Sequence, residues 1–153
     1  HNPRNFSSFL KYDCIELAEE AADWREAVRL SAGPLLRRGF IEESYVSNMI
    51  GFIEEQGFYA VSDGSFALLH GKGAEGIRKT SLSLLVTGKP VEFGDKKANV
   101  IFCLASRDSK EHIPAVVTLM RMVKTTSLIH DLVRCRTKEE AYQCVLNCEF
   151  EVL

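Results

Sequence analysis

The 153-residue chain is 46% hydrophobic and 26% charged, with a formal net charge of −2. That apolar content is enough for one buried core, and the charge balance gives no basic field of the kind that attracts nucleic acid. No apolar run approaches the roughly 18 residues of a membrane span, so no direct membrane insertion is expected. The chain opens on His1 without a signal-peptide pattern, and residues 1–8 are expected to be a linker or tag-derived segment ahead of one domain over 9–153. Residues 5–17 are mixed in pattern and suggest at most a short helix. Asp23 and Glu26 then resemble a capping box, and Trp24, Val28, Leu35 and Leu36 make a helical apolar stripe that Gly39 closes. Pro34 lies within it and should kink or interrupt the helix, because it removes a backbone donor. A second helix is expected over 43–56, with Tyr45, Met49, Ile50 and Ile53 on one face and Gly57 as its cap.

Strand-type segments follow at 59–61, 66–69 and 80–87, the first two parted by the turn Asp63-Gly64. A short turn-bounded piece, 89–94, comes next. The near-continuous apolar run 99–105 reads as a strand covered on both faces. A helix is expected from Ser109 to about Met122, and two shorter ones near 127–135 and 138–147, the last capped by Thr137. The reading is a single-domain α/β protein, a mixed sheet flanked by helices on its faces.

Two histidines stand at strand ends. His70 ends the run Phe66-Ala67-Leu68-Leu69 and enters Gly71-Lys72-Gly73, a rigid mounting that opens into a loop. His112 follows Asp108-Ser109-Lys110-Glu111 and falls in the first turn of the expected helix, where free amides favour an anion. Gly71–Gly76 matches G-x-G-x-x-G literally, but a strand and not a helix follows, so a nucleotide role is rejected. His130 has no ligand-spaced partner beside it, and no nucleophile elbow or Ser-His-Asp pattern occurs. The five cysteines, 14, 103, 135, 144 and 148, are read as reduced apolar residues. Cys144 and Cys148 share helical spacing, but the sequence assembles too few ligands for zinc, and no metal is expected.

One ordered set of segments resembles a known family: Trp24–Val28, Phe40–Tyr45, Gly57–Tyr59, Phe66–Lys72, Gly76–Lys79, Pro90–Gly94 and Asp108–His112. Together they are similar to the type 2 (mannitol/fructose) enzyme IIA domains of the bacterial phosphotransferase system, the ascorbate branch above all. The resemblance covers about residues 10 to 150. It implies phosphoryl relay: His70 accepts phosphate from the carrier HPr, and His112 stabilises the phosphoryl oxygens. Lys72, Gly71 and Ser109 would help bind phosphate or partner. It also implies a cytoplasmic phosphotransferase without metal or organic cofactor. The downstream partner would be enzyme IIB in sugar transport, or a PRD-type regulatory domain in a transcriptional regulator or antiterminator. The regulator is the preferred reading, the transport subunit the alternative, and a non-phosphorylated scaffold the third. Leu69 stands where Pro is usual, Gly73 where ascorbate-type members often have Pro, and the upstream arginine of mannitol-type members has no counterpart near Gln56. An HPr-like partner further predicts an exposed apolar collar near His70, with Phe66 or Phe58 as its members.

Overall fold

The computed structural model describes residues 6–153. A 3₁₀ turn (Phe6–Ser8) leads into β1 (Leu10–Ala18), α1 (Trp24–Arg37), α2 (Glu43–Gln56), β2 (Val61–Ser62), β3 (Ser65–Leu69), β4 (Ser81–Phe93), β5 (Lys96–Ala105), α3 (Ile113–Thr125), α4 (Leu128–Val133) and α5 (Lys138–Val152). The strands form one mixed sheet in the order β1-β4-β5-β3-β2. β1 with β4 and β3 with β5 are parallel; β4 with β5 and β2 with β3 are antiparallel. Neighbouring residues of β5 show how the sheet is covered, because successive side chains point to opposite faces. Phe102 packs edge-on against Phe6, whose turn touches α3, while Cys103 meets Met49 of α2. Helices α1 and α2 therefore lie on one face, and the opening turn with α3, α4 and α5 on the other.

The helix signals act through identifiable bonds. The Asp23 side chain accepts from the Glu26 amide at 2.8 Å, and Glu26 accepts in return from the Ala22 amide at 2.6 Å, one residue further back than in a regular capping box. Gly39, at φ +72°, ends α1: its amide donates to Leu36 and that of Phe40 to Leu35, the paired bonds of a Schellman motif. Pro34 does not interrupt α1, which continues to Arg37 with Pro34 and Leu35 both buried. Thr137 and Glu140 form a full capping box on α5.

Further expectations about the fold change. Residues 10–18 are a strand, not a loop or helix. The register between β1 and β4 slips between Leu10 and Ile15, which spoils the two-residue alternation that marks a strand. Residues 89–93 continue β4 past a second slip between Val86 and Val91, where Gly88 and Pro90 break the pattern. The strand after α2 is shifted to Val61–Ser62. Phe6–Ser8, grouped by the sequence with the leading linker, packs into the fold: Phe6 is buried and its amide donates to the buried Glu149 carboxylate at 2.9 Å. The rest of that segment, with His1, lies outside the described residues. Since β3 and β5 run parallel, with Leu69 opposite Cys103, their C-terminal ends leave the sheet side by side. His70 and the 106–112 loop emerge from that edge.

Candidate active site

A cleft of about 520 Å³ opens at this edge, and both His70 and His112 line it. His70 is half-buried, with Nδ1 3.2 Å from the Gly71 carbonyl oxygen. A carbonyl can only accept, so in the neutral ring Nδ1 carries the proton and Nε2 the lone pair. Phe52 and Tyr59 brace the ring, with centroids at 5.6 and 6.2 Å.

The loop carrying His70 is pinned from α2. The buried Tyr45 hydroxyl donates to the Leu104 carbonyl at 2.8 Å and accepts from the Gly71 amide at 2.9 Å. One side chain thus ties the end of β3 to the end of β5. Burial raises the Tyr45 phenol well above its ordinary range, so it stays a hydroxyl and keeps donating. One turn along, Asn48 clasps Lys72 through both its amide and its carbonyl, at 2.9 and 2.8 Å. Gly71 lets these groups approach: a Cβ there would stand 2.8 Å from Asn48 Oδ1 and 3.0 Å from Tyr45 Cε1.

His112 is the N-cap of α3, not a first-turn residue, because the helix starts at Ile113 and not at Ser109. The Asp108 carboxylate causes the delay by accepting from the Lys110 and Glu111 amides at 2.8 and 2.6 Å, which holds those residues in a turn. The same bonds keep the Asp108 carboxyl below its ordinary pKa. His112 Nδ1 is 2.8 Å from Ser106 Oγ, which itself donates to the Asp108 carbonyl at 2.6 Å. The ring is therefore fixed through Nδ1, leaving Nε2 for another partner.

Gly71 and Ser109 line the cleft, as does Arg107, whose Nη1 donates to the Arg78 carbonyl at 3.2 Å. Lys72 is not among the lining residues; its backbone is held by Asn48 and its side chain is exposed. Phe66 and Phe58 do not form the collar. Phe66 is buried against Phe102, and Phe58 packs between Trp24 and Phe93. The apolar surface beside His70 is Phe52 with Tyr59, the latter 55% exposed. Tyr45, Asn48, Ser106 and Arg107 had no place in the sequence-based site. The three-residue spacing of Tyr45 and Asn48, one helical face, was the available signal for the first pair.

A family model described as "Phosphoenolpyruvate-dependent sugar phosphotransferase system, EIIA 2" matches residues 8–148. The chain belongs to this family. EIIA domains are phosphotransferases that relay phosphate through a phosphohistidine. Among curated relatives, the ascorbate-specific PTS system EIIA component of Escherichia coli (strain K12) is 27% identical over 135 residues, covering 86% of this chain and 88% of its own. The mannitol-specific cryptic phosphotransferase enzyme IIA CmtB of Escherichia coli superposes with a TM-score of 0.85 at 22% identity, over 94% of this chain and 99% of its own. A complex of mannitol enzyme IIA with phosphorylated enzyme IIB, also from Escherichia coli, gives 0.75 at 24% identity, over 90% and 96%. These two structures establish the α/β fold of this EIIA domain. Among the described residues no helix is long and apolar enough to cross a membrane.

Proposed function

We propose that this EIIA domain takes a phosphoryl group from the phosphohistidine of HPr onto Nε2 of His70 and passes it to a cysteine of an enzyme IIB. The observation that carries the proposal is the contact between His70 Nδ1 and the Gly71 carbonyl, which leaves Nε2 as the lone-pair nitrogen in a cleft that His112 shares. The Nε2 pair forms the new P–N bond as the carrier's P–N bond breaks and its pair returns to the carrier imidazole. Such a transfer needs positioning and charge stabilisation more than covalent assistance. His112, whose Nδ1–H is held by Ser106, presents Nε2 to the same space and donates from it to a phosphoryl oxygen when the ring is the imidazolium, and Arg107 adds positive charge. Ser109 and the Gly71 backbone line the same space; Lys72 contributes through its clasped backbone.

The relatives favour enzyme IIB as acceptor over a regulatory domain: one is an ascorbate-specific PTS system EIIA component, and another forms a complex with phosphorylated enzyme IIB. The test is incubation with phosphoenolpyruvate, enzyme I and HPr, followed by intact mass measurement. An acid-labile, alkali-stable phosphoryl adduct is expected and should be lost in His70→Ala. Folded protein that takes no phosphate refutes the relay and favours a scaffold. Phosphorylation without transfer to any enzyme IIB would instead assign the domain to a PRD-type regulator.

A further inference from the structure

A second cluster of reactive side chains lies outside the His70 cleft. Cys144 and Cys148 are four residues apart in α5; Asp131 and Cys135 are four apart in α4 and just beyond its end. A spacing of four sets Cys144 and Cys148 on one helical face, and the Cys135 thiol is brought to Asp131 by its bond to the Asp131 carbonyl. Helices α4 and α5 pack together, and the two pairs meet between them. One Asp131 carboxylate oxygen and the sulfurs of Cys144 and Cys148 all lie within 4.8 Å of one another. Cys135 lines the same open cleft, held over it by bonds from its amide to the Leu132 carbonyl and from its thiol to the Asp131 carbonyl. None of these residues takes part in the phosphoryl relay, and all the cysteines are free thiols.

We propose that Asp131, Cys135, Cys144 and Cys148 form a site for a thiophilic divalent cation, with zinc as the fitting ion. Zinc with sulfur at about 2.3 Å in a tetrahedron sets its sulfurs about 3.8 Å apart. The donor atoms of Asp131, Cys144 and Cys148, all within 4.8 Å of one another, therefore have at most about 1 Å to close, while Cys135, outside that group, swings its thiol off the Asp131 carbonyl to become the fourth ligand. The carboxylate is already oriented, since Ser127 Oγ donates to Asp131 Oδ2 at 2.6 Å and leaves Oδ1 for the ion. Three sulfur donors suit zinc and not the hard cations magnesium and calcium, which take oxygen. Glu139 and Glu151 add negative charge to the cleft, and the opening gives the ion a path in. Binding displaces the three thiol protons. A bound ion would clip α4, the 134–137 connection and α5 into one unit.

The experiment is a cobalt titration of the intact chain under a non-thiol reductant, followed by zinc displacement. Saturation at one equivalent is expected, with a thiolate-to-cobalt charge-transfer band that zinc abolishes. Cys144→Ser and Cys148→Ser should lose that band. Ser127→Ala, which frees the carboxylate without removing a ligand, should weaken cobalt binding about 10–100-fold. Cys14→Ala, in β1, should leave binding unchanged. Circular dichroism checks that each variant folds. Should the cysteine variants unfold, X-ray absorption at the zinc edge on the wild-type chain decides: a sulfur-rich shell supports the site and an oxygen-and-nitrogen shell overturns it. Absence of a saturable charge-transfer band in the wild type, or its survival in folded Cys144→Ser, overturns the proposal.

Discussion

Replacing Tyr45 by Phe removes one oxygen from the centre of the molecule and nothing else. That oxygen serves two loops: it donates to the Leu104 carbonyl at 2.8 Å and accepts from the Gly71 amide at 2.9 Å. Leu104 is only 7% exposed, so its carbonyl loses this donor where water replaces it poorly, a cost of about 1–3 kcal/mol. Gly71 is half-buried and its amide can rehydrate, adding up to about 1 kcal/mol. The ring still fills its place, so no cavity term is added. A total near 2–3 kcal/mol corresponds to a fall in Tm of about 5–10 °C for a domain of this size. Urea unfolding should show a lower midpoint at unchanged slope, because the same surface is exposed in both proteins. Phosphoryl transfer from HPr should slow by more than the lost folded population explains, since Gly71 adjoins His70 and supplies its carbonyl. A stability loss below about 0.5 kcal/mol, with the slope unchanged, would refute the claim that this hydroxyl holds the site together.

Other expectations bear on the neighbouring groups. Gly71→Ala should cost about 1–3 kcal/mol, because its Cβ would push on Asn48 while Asn48 is bonded to Lys72 on both sides; the unfolding midpoint measures it. His112→Ala and Ser106→Ala should each slow phosphoryl acceptance while leaving the circular dichroism spectrum unchanged, His112→Ala by about 100-fold and Ser106→Ala by less; equal rates in all three proteins would exclude a role for the His112 ring. Asp108 should titrate below its ordinary value of 3.8 in a carboxyl NMR experiment, owing to the Glu111 and Lys110 amides. Because the folded value is depressed, its contribution is complete above 3.8 and fades as pH falls through the folded value, so the 106–112 loop should loosen only in that acid window.

What could be read in advance divides along the range of the interactions involved. The starts of α1 and α5 were legible because side chains within four residues set them, Asp23 with Glu26 and Thr137 with Glu140, and the ends of α1 and α2 because Gly39 and Gly57 close them. Strand β1 was not, since its identity depends on pairing with β4, about seventy residues away, across a register slip that hides the alternation. The start of α3 was misplaced for a different reason. Asp108 does take amides in the manner of a cap, but it closes a turn of its own and hands the N-cap position to His112. The histidines were legible because each follows a buried strand; their sharing of one cleft follows from the parallel pairing of β3 with β5. Tyr45 shows why the remaining site residues were harder to find. In sequence it is one more apolar position on the face of α2, and its ring behaves as such. Only the meeting of two strand ends above it gives its hydroxyl both partners. The cysteine cluster obeys the same logic. Each four-residue spacing is visible by itself, but the donor set exists only where α4 folds back on α5. Sequence periodicity thus finds the face a residue occupies, and the topology of the sheet and its helices decides which faces meet.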